Sequence, residues 1–175
     1  KVAMQMTGNT GYTTVPSETG SAVGRNFLFA TAGSTGAILV FAYEDAQISV
    51  FDLDTGELRH NRSLGAGQSW FQTGVGARRL RLESTGDVEL WAGDTRGGTD
   101  VLSLGDDISM TSGREGTEFF LHNLRDGIVI FAPNNDTSIN IDGGSLNRTL
   151  DRDQYWHLLP PDFPSGSRVH HLVAT

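Results

Sequence analysis

The chain has 175 residues, enough for one mid-sized domain or two small ones, and its net charge of −8 argues against a nucleic-acid partner, which requires a basic face. It has no cysteine, which excludes disulfides, thiol catalysis and cysteine-ligated metal sites. No apolar run approaches the ~18 residues of a membrane helix and no secretory signal is visible at Lys1, so we expect no membrane insertion and a mature, trimmed or cytosolic form.

The first half of the chain predicts a series of short strands separated by tight turns. The 22 glycines exceed the usual share of ~7%, and short β-branched and aromatic runs recur between them. Strict alternation of apolar and polar residues in Gln47-Ile48-Ser49-Val50-Phe51 indicates a half-buried strand, and Asp54-Thr55-Gly56 is typical of a hairpin turn. The strands predicted in this half lie within 1–9 and at 27–31, 37–43, 47–51, 58–64, 69–73, 78–83 and 87–94.

The second half predicts the same kind of structure. Its first strands are expected at 119–122, 127–132 and 138–141, and Asp142-Gly143-Gly144 forms the next hairpin tip. Neither half contains apolar residues at helical spacing that are flanked by helix-capping residues. The composition and the pattern together indicate an all-β protein.

Two stretches of the chain repeat one pattern. Residues 60–70 and 146–156 both contain Asn-Arg, then Ser or Thr, then Leu, and after three residues Gln-x-Trp. Further matches keep the same order on both sides, for example Ile38-Leu39-Val40-Phe41-Ala42 with Ile128-Val129-Ile130-Phe131-Ala132. We infer a tandem duplication, with repeat 1 at 10–94 and repeat 2 at 95–175.

Each repeat predicts about seven strands and no helix, which favours a sandwich or a small barrel. We therefore expect two tandem homologous β-sandwich modules, Ig-like or jelly-roll-like. Repeat 1 continues past Thr85 into the strand at 87–94, whereas repeat 2 reaches Thr175 without an equivalent.

The N-terminal residues 1–9 have the same character as the strand at 87–94, since both are apolar and end in Gly followed by Asn or Asp. We expect this N-terminal strand to complete the second module, because an open sheet edge exposes unpaired backbone groups. Two alternatives stay open: the strand pairs with a neighbouring chain and builds a filament, or the chain is one slice of a longer array.

Three N-glycosylation sequons begin at Asn61, Asn135 and Asn147. They indicate a glycosylated surface protein of a eukaryote or an archaeon. The alternative is that these polar residues only face solvent on strands and turns, with the pattern at Asn61 and Asn147 inherited from one ancestor.

Trp70 and Trp156 occupy the same position in the two repeats. A pair of exposed aromatic rings could stack on sugars, as in carbohydrate-binding modules. The favoured interpretation is one core tryptophan in each module, packed between sheets.

Acidic residues concentrate at one turn, where Asp52, Asp54 and Glu57 carry hard oxygen ligands of the kind that Ca²⁺ prefers. The motif lacks the full twelve-residue calcium loop, so solvated turn carboxylates are the default. We expect no cofactor, with structural Ca²⁺ at this turn as the alternative. His170 and His171 are adjacent on a predicted strand, so their side chains point to opposite faces and do not share one metal.

The sequence contains no nucleophile elbow, zinc-protease motif or phosphate-binding loop. We therefore name no catalytic residue and favour a non-enzymatic protein.

Three segments resemble the repeated β-domains of IgGFc-binding proteins and related prokaryotic surface proteins. In those domains a strand like ATEDGTTVTI precedes a segment LxxGExY and a closing strand like SxKPVAVFSG. Ala42–Val50, Leu64–Trp70 and Ser84–Gly93 stand in those places, although Gly86-Asp87 replaces the Lys-Pro. The resemblance implies an extracellular, adhesive or structural role and implies no catalytic residue.

The sequence thus predicts a non-enzymatic extracellular or cell-surface protein that serves in structure, adhesion or assembly. Its expected partners are a protein or a glycan at a surface, or further copies of itself in an array or filament. The alternatives are a carbohydrate-binding module or polysaccharide-active enzyme, and a virion or filament subunit that assembles by strand donation.

Overall fold

The computed structural model of the protein describes residues 4–7, 12–15, 23–31, 36–94, 117–122, 128–163 and 169–175. These residues form antiparallel strands and two short 3-10 turns, Asp142–Gly144 and Pro160–Asp162, and contain no α-helix. The all-β prediction is confirmed. Among them there is also no helix with the length and hydropathy that a transmembrane span requires.

The chain divides into two compact units, Lys1–Glu115 and Gly116–Thr175. The boundary predicted from the repeats, between residues 94 and 95, borders a stretch that lies outside the described residues. The organisation into two sandwich modules therefore stays a prediction, and each unit is described by itself.

The first unit contains eight strands in its described part. They are β1 Met4–Thr7, β2 Tyr12–Val15, β3 Val23–Thr31, β4 Gly36–Ala42, β5 Ala46–Asp52, β6 Leu58–Leu64, β7 Ser69–Gln72 and β8 Arg78–Asp94. Six of them form one antiparallel sheet with the order β6-β5-β8-β4-β7, in which β3 also pairs with β8.

Strand β8 differs from the sequence prediction, which divided it into separate strands at 78–83 and 87–94. It is one strand of 17 residues: β5 pairs with its first part, β4 pairs with its second part, and β3 pairs with the first part and with Val88 and Glu89 of the second. A bulge separates the two parts: Asn26 lies opposite Glu83 but Gly24 lies opposite Val88, so two steps along β3 correspond to five along β8. Across the bulge β8 changes from pairing with β5 to pairing with β4, keeps β3 as a partner, and continues as one strand.

The core of the first unit is formed by the alternating apolar residues of these strands. In β5 the residues Ala46, Ile48 and Val50 are buried while Gln47 is exposed, as the sequence alternation predicts. The other buried members are Phe27, Phe29, Ile38, Val40, Ala42, Leu80, Leu82, Val88, Leu90 and Ala92.

Strands β1 and β2 form a separate two-stranded antiparallel sheet, with Met4 opposite Val15 and Thr7 opposite Tyr12. The expectation that residues 1–9 complete the second repeat stays a prediction.

The second unit contains six strands in its described part. They are β9 Glu118–His122, β10 Ile128–Phe131, β11 Thr137–Ile141, β12 Leu146–Leu150, β13 Tyr155–Leu158 and β14 Val169–Ala174. Four of them form a sheet with the order β12-β11-β14-β9, and β10 pairs with β13 alone in a two-stranded sheet. Their buried core consists of Ala132, Ile139, Ile141, Leu150, Leu158, Phe163 and Leu172.

Candidate functional site

Trp70 lies on β7 and is half-buried, packed against the core of the first unit. The ring of His60 meets the indole edge-on at 5.3 Å between centroids, and the guanidinium carbon of Arg62 lies 5.8 Å from the centre of the indole ring. The indole therefore contacts core residues and two polar neighbours from strand β6. A sugar that stacked on the face near Arg62 would have to compete with the guanidinium.

Trp156 has a matching environment in the second unit. It is half-buried on β13 and packs against the second core, and the guanidinium carbon of Arg148 lies 5.9 Å from the centre of its indole ring. Neither tryptophan is fully buried, and neither stands free in solvent. Sugar stacking on Trp70 or Trp156 stays a prediction.

The three sequon asparagines are all exposed. Asn61 lies on β6 and Asn147 on β12, which are the outermost strands in the described order of their sheets, and Asn135 lies in the turn before β11. The carboxamide of Asn61 accepts a hydrogen bond from Gln47, and that of Asn135 accepts one from the backbone of Arg152 at 3.0 Å. Their exposure suits a glycan but equally suits plain solvation, so glycosylation stays a prediction.

Asp52, the first of the predicted calcium ligands, is completely buried at the end of β5. One of its carboxylate oxygens lies 3.1 Å from a guanidinium nitrogen of Arg59 and 3.3 Å from one of Arg78. Its other oxygen accepts a hydrogen bond from the backbone N–H of Asp54 at 3.0 Å. Both oxygens therefore have partners within the protein, and they hold the β5–β6 turn against β8.

The other two predicted ligands also face arginines. A carboxylate oxygen of Asp54 lies 3.6 Å from Arg79, and one of Glu57 lies 3.4 Å from Arg59. In the part of the chain that the structure describes, no three His, Cys, Asp or Glu side chains converge as a metal site would require. A calcium ion at this turn would have to displace guanidinium groups, and its presence stays a prediction.

The two adjacent histidines point to opposite faces of β14, as the strand geometry predicts. His170 is completely buried, whereas the side chain of His171 is 42% exposed. Asp142 connects the two residues: its Oδ2 lies 2.6 Å from His170 Nδ1, and its Oδ1 accepts the backbone N–H of His171 at 2.9 Å. On the other face, His171 Nε2 lies 2.7 Å from an oxygen of Glu118 on β9.

The hydrogen bond with His170 and then that with the backbone of His171 hold the pKa of Asp142 below its ordinary value. Asp142 has a positive φ of 52°, so the chain takes a left-handed turn at the end of β11 and carries the carboxylate back to β14. Sequence reasoning assigned Asp142 to a hairpin tip and missed this contact. The available signal was an acidic residue at a turn together with a histidine at a core position of a strand.

An aspartate that orients an imidazole is an arrangement that enzymes use for general-base catalysis, provided that the second ring nitrogen can reach a substrate. Here Nε2 of His170 is buried and has no hydrogen-bond partner among the described residues. The ring of Phe163 lies 4.4 Å from the imidazole between centroids. The geometry therefore supports a structural contact between β11 and β14, in which the imidazole is completely buried.

A second buried carboxylate was also missed. Glu89, on the second part of β8, is 2% exposed and accepts hydrogen bonds from the hydroxyl of Tyr43 at 2.7 Å and from the indole N–H of Trp91. Trp91 is itself 7% exposed. Glu89 and Trp91 point to the face of β8 opposite to that of Val88 and Leu90, which belong to the core. Tyr43, from the turn between β4 and β5, meets Glu89 on that face. The second part of β8 is therefore buried on both faces.

These sites share one property: most of their charged groups are matched by partners of the same unit. Together with the fold, they define an all-β protein of antiparallel sheets with internally paired polar clusters. Comparisons of the chain with protein-family models, with curated proteins and with solved structures find no match.

Proposed function

We propose that the chain is a non-enzymatic structural or adhesive protein of the cell surface or the extracellular space, built from two homologous β-sandwich modules. The observation that carries the proposal is that the same strand pairings recur in both units, with identical or similar side chains at the matching positions. A duplicated scaffold that keeps its internal contacts suits a structural or adhesive role.

The recurrence is visible in the strand registers. The matching pairs of the first and second units are Val40–Trp70 with Ile130–Trp156, Ile48–Arg62 with Ile139–Arg148, Ser49–Asn61 with Asn140–Asn147, and Phe27–Leu82 with Phe119–Leu172. Register is set by which face of a strand is buried, so a common register follows from a common pattern of apolar residues. It supports the tandem duplication inferred from the sequence.

The contact between arginine and tryptophan recurs as well, at 5.8 Å in the first unit and 5.9 Å in the second. In each unit the arginine lies on the outermost strand in the described order of its sheet, β6 or β12, and the tryptophan lies on a different strand, β7 or β13. A role in holding the module together explains why both copies have it. This supports core packing as the main role of Trp70 and Trp156.

The resemblance to repeated extracellular β-domains supports an extracellular or cell-surface location of the protein, and the exposed sequons agree with that location. The proposal assigns a structural role to the carboxylates and imidazoles described above, which have partners within their own units. The partners that fit are a protein or glycan at a surface and further copies of the chain.

The proposal is tested by measuring the mass of the purified chain over a range of concentrations and its binding to cells and to a panel of glycans. We expect self-association or surface binding and no change in the glycans themselves. A chain that stays monomeric, binds nothing and cleaves a polysaccharide would contradict the proposal.

A carbohydrate-binding module is the second candidate, because both tryptophans are half-buried rather than buried. It predicts that a bound oligosaccharide protects the indole fluorescence from an aqueous quencher and that Trp156→Phe weakens the protection. Equal quenching with and without any sugar of the panel would remove this candidate.

A further inference from the structure

Strand β4 of the first unit lies between two partners. It pairs with β7 on one side, and on the other side its residues 36–42 pair with residues 88–94 of β8. Ala37, Ile38 and Val40 are completely buried as a result. The second part of β8 is therefore what closes this side of the first unit.

Strand β10, whose residues match those of β4, has a different environment. It pairs with β13 on one side, and no strand within the described ranges pairs with its other side. All four residues from Ile128 to Phe131 are half-buried, although the matching residues Ile38 and Val40 are completely buried. We call this free side of Ile128–Phe131 the acceptor edge.

An open edge has a physical cost, because it presents a row of unpaired N–H and C=O groups that pair readily with another strand. A two-stranded sheet is also marginally stable by itself, and β10 and β13 form such a sheet. Within the described residues, the acceptor edge thus has the features of a site for a third strand whose alternate side chains are apolar.

We propose that the acceptor edge binds strand β1 of a second copy of this chain in antiparallel orientation, so that copies join head to tail. The inference rests on the proposed function as an assembling structural protein and names the segment through which the copies join. A head-to-tail contact of this kind repeats from copy to copy and builds a filament or ring.

The apolar pattern of the N-terminal segment fits the acceptor edge. In β8 the core-facing residues of the closing part are Val88, Leu90 and Ala92. Residues 2–6 read Val-Ala-Met-Gln-Met, with apolar residues at the same alternate positions as in 88–92, and in this register Gly8-Asn9 comes one residue later than Gly93-Asp94. Met4 would then lie opposite Ile130, as Leu90 lies opposite Val40 in the first unit.

Charge and pairing also favour β1. Residues 1–17 contain Lys1 as their only charged side chain in a chain whose net charge is −8, so their docking on another copy adds no like-charge repulsion. Among the described strands, β1 pairs with β2 alone, which leaves its other side for a new partner. We assign the acceptor edge to β1 of a different copy, and the double variant described below distinguishes this contact from pairing within one chain.

The absence of cysteine makes a direct test simple. The register places Gln5 opposite Val129, as Trp91 lies opposite Leu39 in the first unit. Directly opposed residues of antiparallel strands are close enough for a disulfide. The test uses two single variants, Gln5→Cys and Val129→Cys, that are mixed and oxidised, and the double variant in one chain.

We expect the mixture to form a covalent dimer and the double variant to form a ladder of larger oligomers, both reversed by a reductant. The matched control pairs Gln5→Cys with Asn140→Cys, an exposed position on β11 of the same unit, and should give no more than background. A dimer yield at Val129 equal to that control would overturn the proposal. So would a double variant that loses its free thiols but remains a single chain, because its disulfide would then lie within one copy.

A second measurement guards against effects of the cysteines on folding. Removal of residues 1–9 should abolish oligomers of the otherwise unmodified chain, and a synthetic peptide of residues 1–9 should then slow hydrogen exchange of the β10 amides. Unchanged oligomers, or a peptide without effect, would contradict donation by β1. If these tests fail while the chain still binds surfaces or self-associates, the proposed function stands and only the inferred contact is wrong.

Discussion

At the scale of single residues, Gly86 shows how strongly one position constrains the fold. It lies in the bulge of β8, and a Cβ atom at this position would lie 2.6 Å from the backbone oxygen of Asp45 and 2.9 Å from Cγ of Glu44. Asp87, its neighbour, is held by Arg25 at 2.6 Å, and Arg25 also contacts Glu44 at 2.8 Å. The bulge therefore depends on the missing side chain as well as on these exposed ion pairs.

We expect Gly86→Ala to lower the free energy of unfolding by about 1–3 kcal/mol, because the backbone oxygen cannot move aside as a flexible side chain could. Chemical denaturation measures the change. Gly65→Ala is the matched control, since a Cβ there would meet its nearest neighbour at an ordinary 3.6 Å. Equal stabilities of the two variants would show that the close approach in the structure does not exist.

Asp142 should give the protein a dependence on acid. Its pKa is lowered in the folded state, chiefly by the hydrogen bond with His170, so the folded state binds its proton less readily than the unfolded state does. This contribution to stability is complete above the ordinary pKa of 3.8 and is lost as the pH falls through the lower folded value. The stability of the wild type should therefore decrease on acidification below that pH.

The variant Asp142→Asn removes the titrating group, so part of the acid-dependent loss should disappear. Unfolding free energies of both proteins from pH 5 downward, at constant ionic strength, would show converging curves. Curves that stay parallel down to the lowest pH would mean that Asp142 does not interact with His170 as described.

At the scale of elements, buried charge anchors the turn between β5 and β6. Asp52 is completely buried, but the side chains of Arg59 and Arg78 that face it are 34% and 41% exposed. When the carboxylate is removed, these arginines can regain hydration, so the loss should be smaller than for a fully buried ion pair.

We expect Asp52→Ala to destabilise the first unit by about 1–3 kcal/mol, because the N–H of Asp54 also loses its acceptor. Glu57→Ala serves as the control: its side chain is 60% exposed, and we expect a change within about 0.5 kcal/mol. Thermal or chemical unfolding compares the two. A Glu57→Ala protein less stable than Asp52→Ala would reverse the ranking that burial implies.

At the scale of the whole molecule, the chain has two separate buried cores, one in each compact unit. Leu82 and Leu172 are equivalent in the two strand registers and are 0% and 2% exposed. Each therefore reports on the stability of its own core.

We expect Leu82→Ala to lower the stability of the first unit and Leu172→Ala that of the second, each by about 2–5 kcal/mol. Calorimetry should resolve two transitions of which each variant shifts one. A single transition that both variants shift alike would show that the two units unfold as one cooperative body.

Much of the architecture could be predicted from local patterns. The alternation in Ala46–Asp52, the hairpin tip at Thr55-Gly56 and the opposite faces of His170 and His171 follow from the two-residue period of a strand. The duplicated Asn-Arg and Gln-x-Trp pattern placed the tryptophans and their arginines at equivalent positions. These features depend on neighbours in sequence, which is why a single sequence is sufficient to predict them.

The tertiary structure decided everything that depends on residues far apart in the chain. The arrangement of neighbouring strands sets whether Asp52 faces solvent, a metal ion or two arginines. It also sets whether Asp142 meets a histidine 28 positions later. The continuity of β8 across Gly86 likewise depends on Asp45, some forty residues earlier. The sequence by itself determined most of the strands and predicted their repeat, because side-chain alternation is local, whereas the continuity of β8 and the partners of each buried charge became visible only when the sheets were assembled.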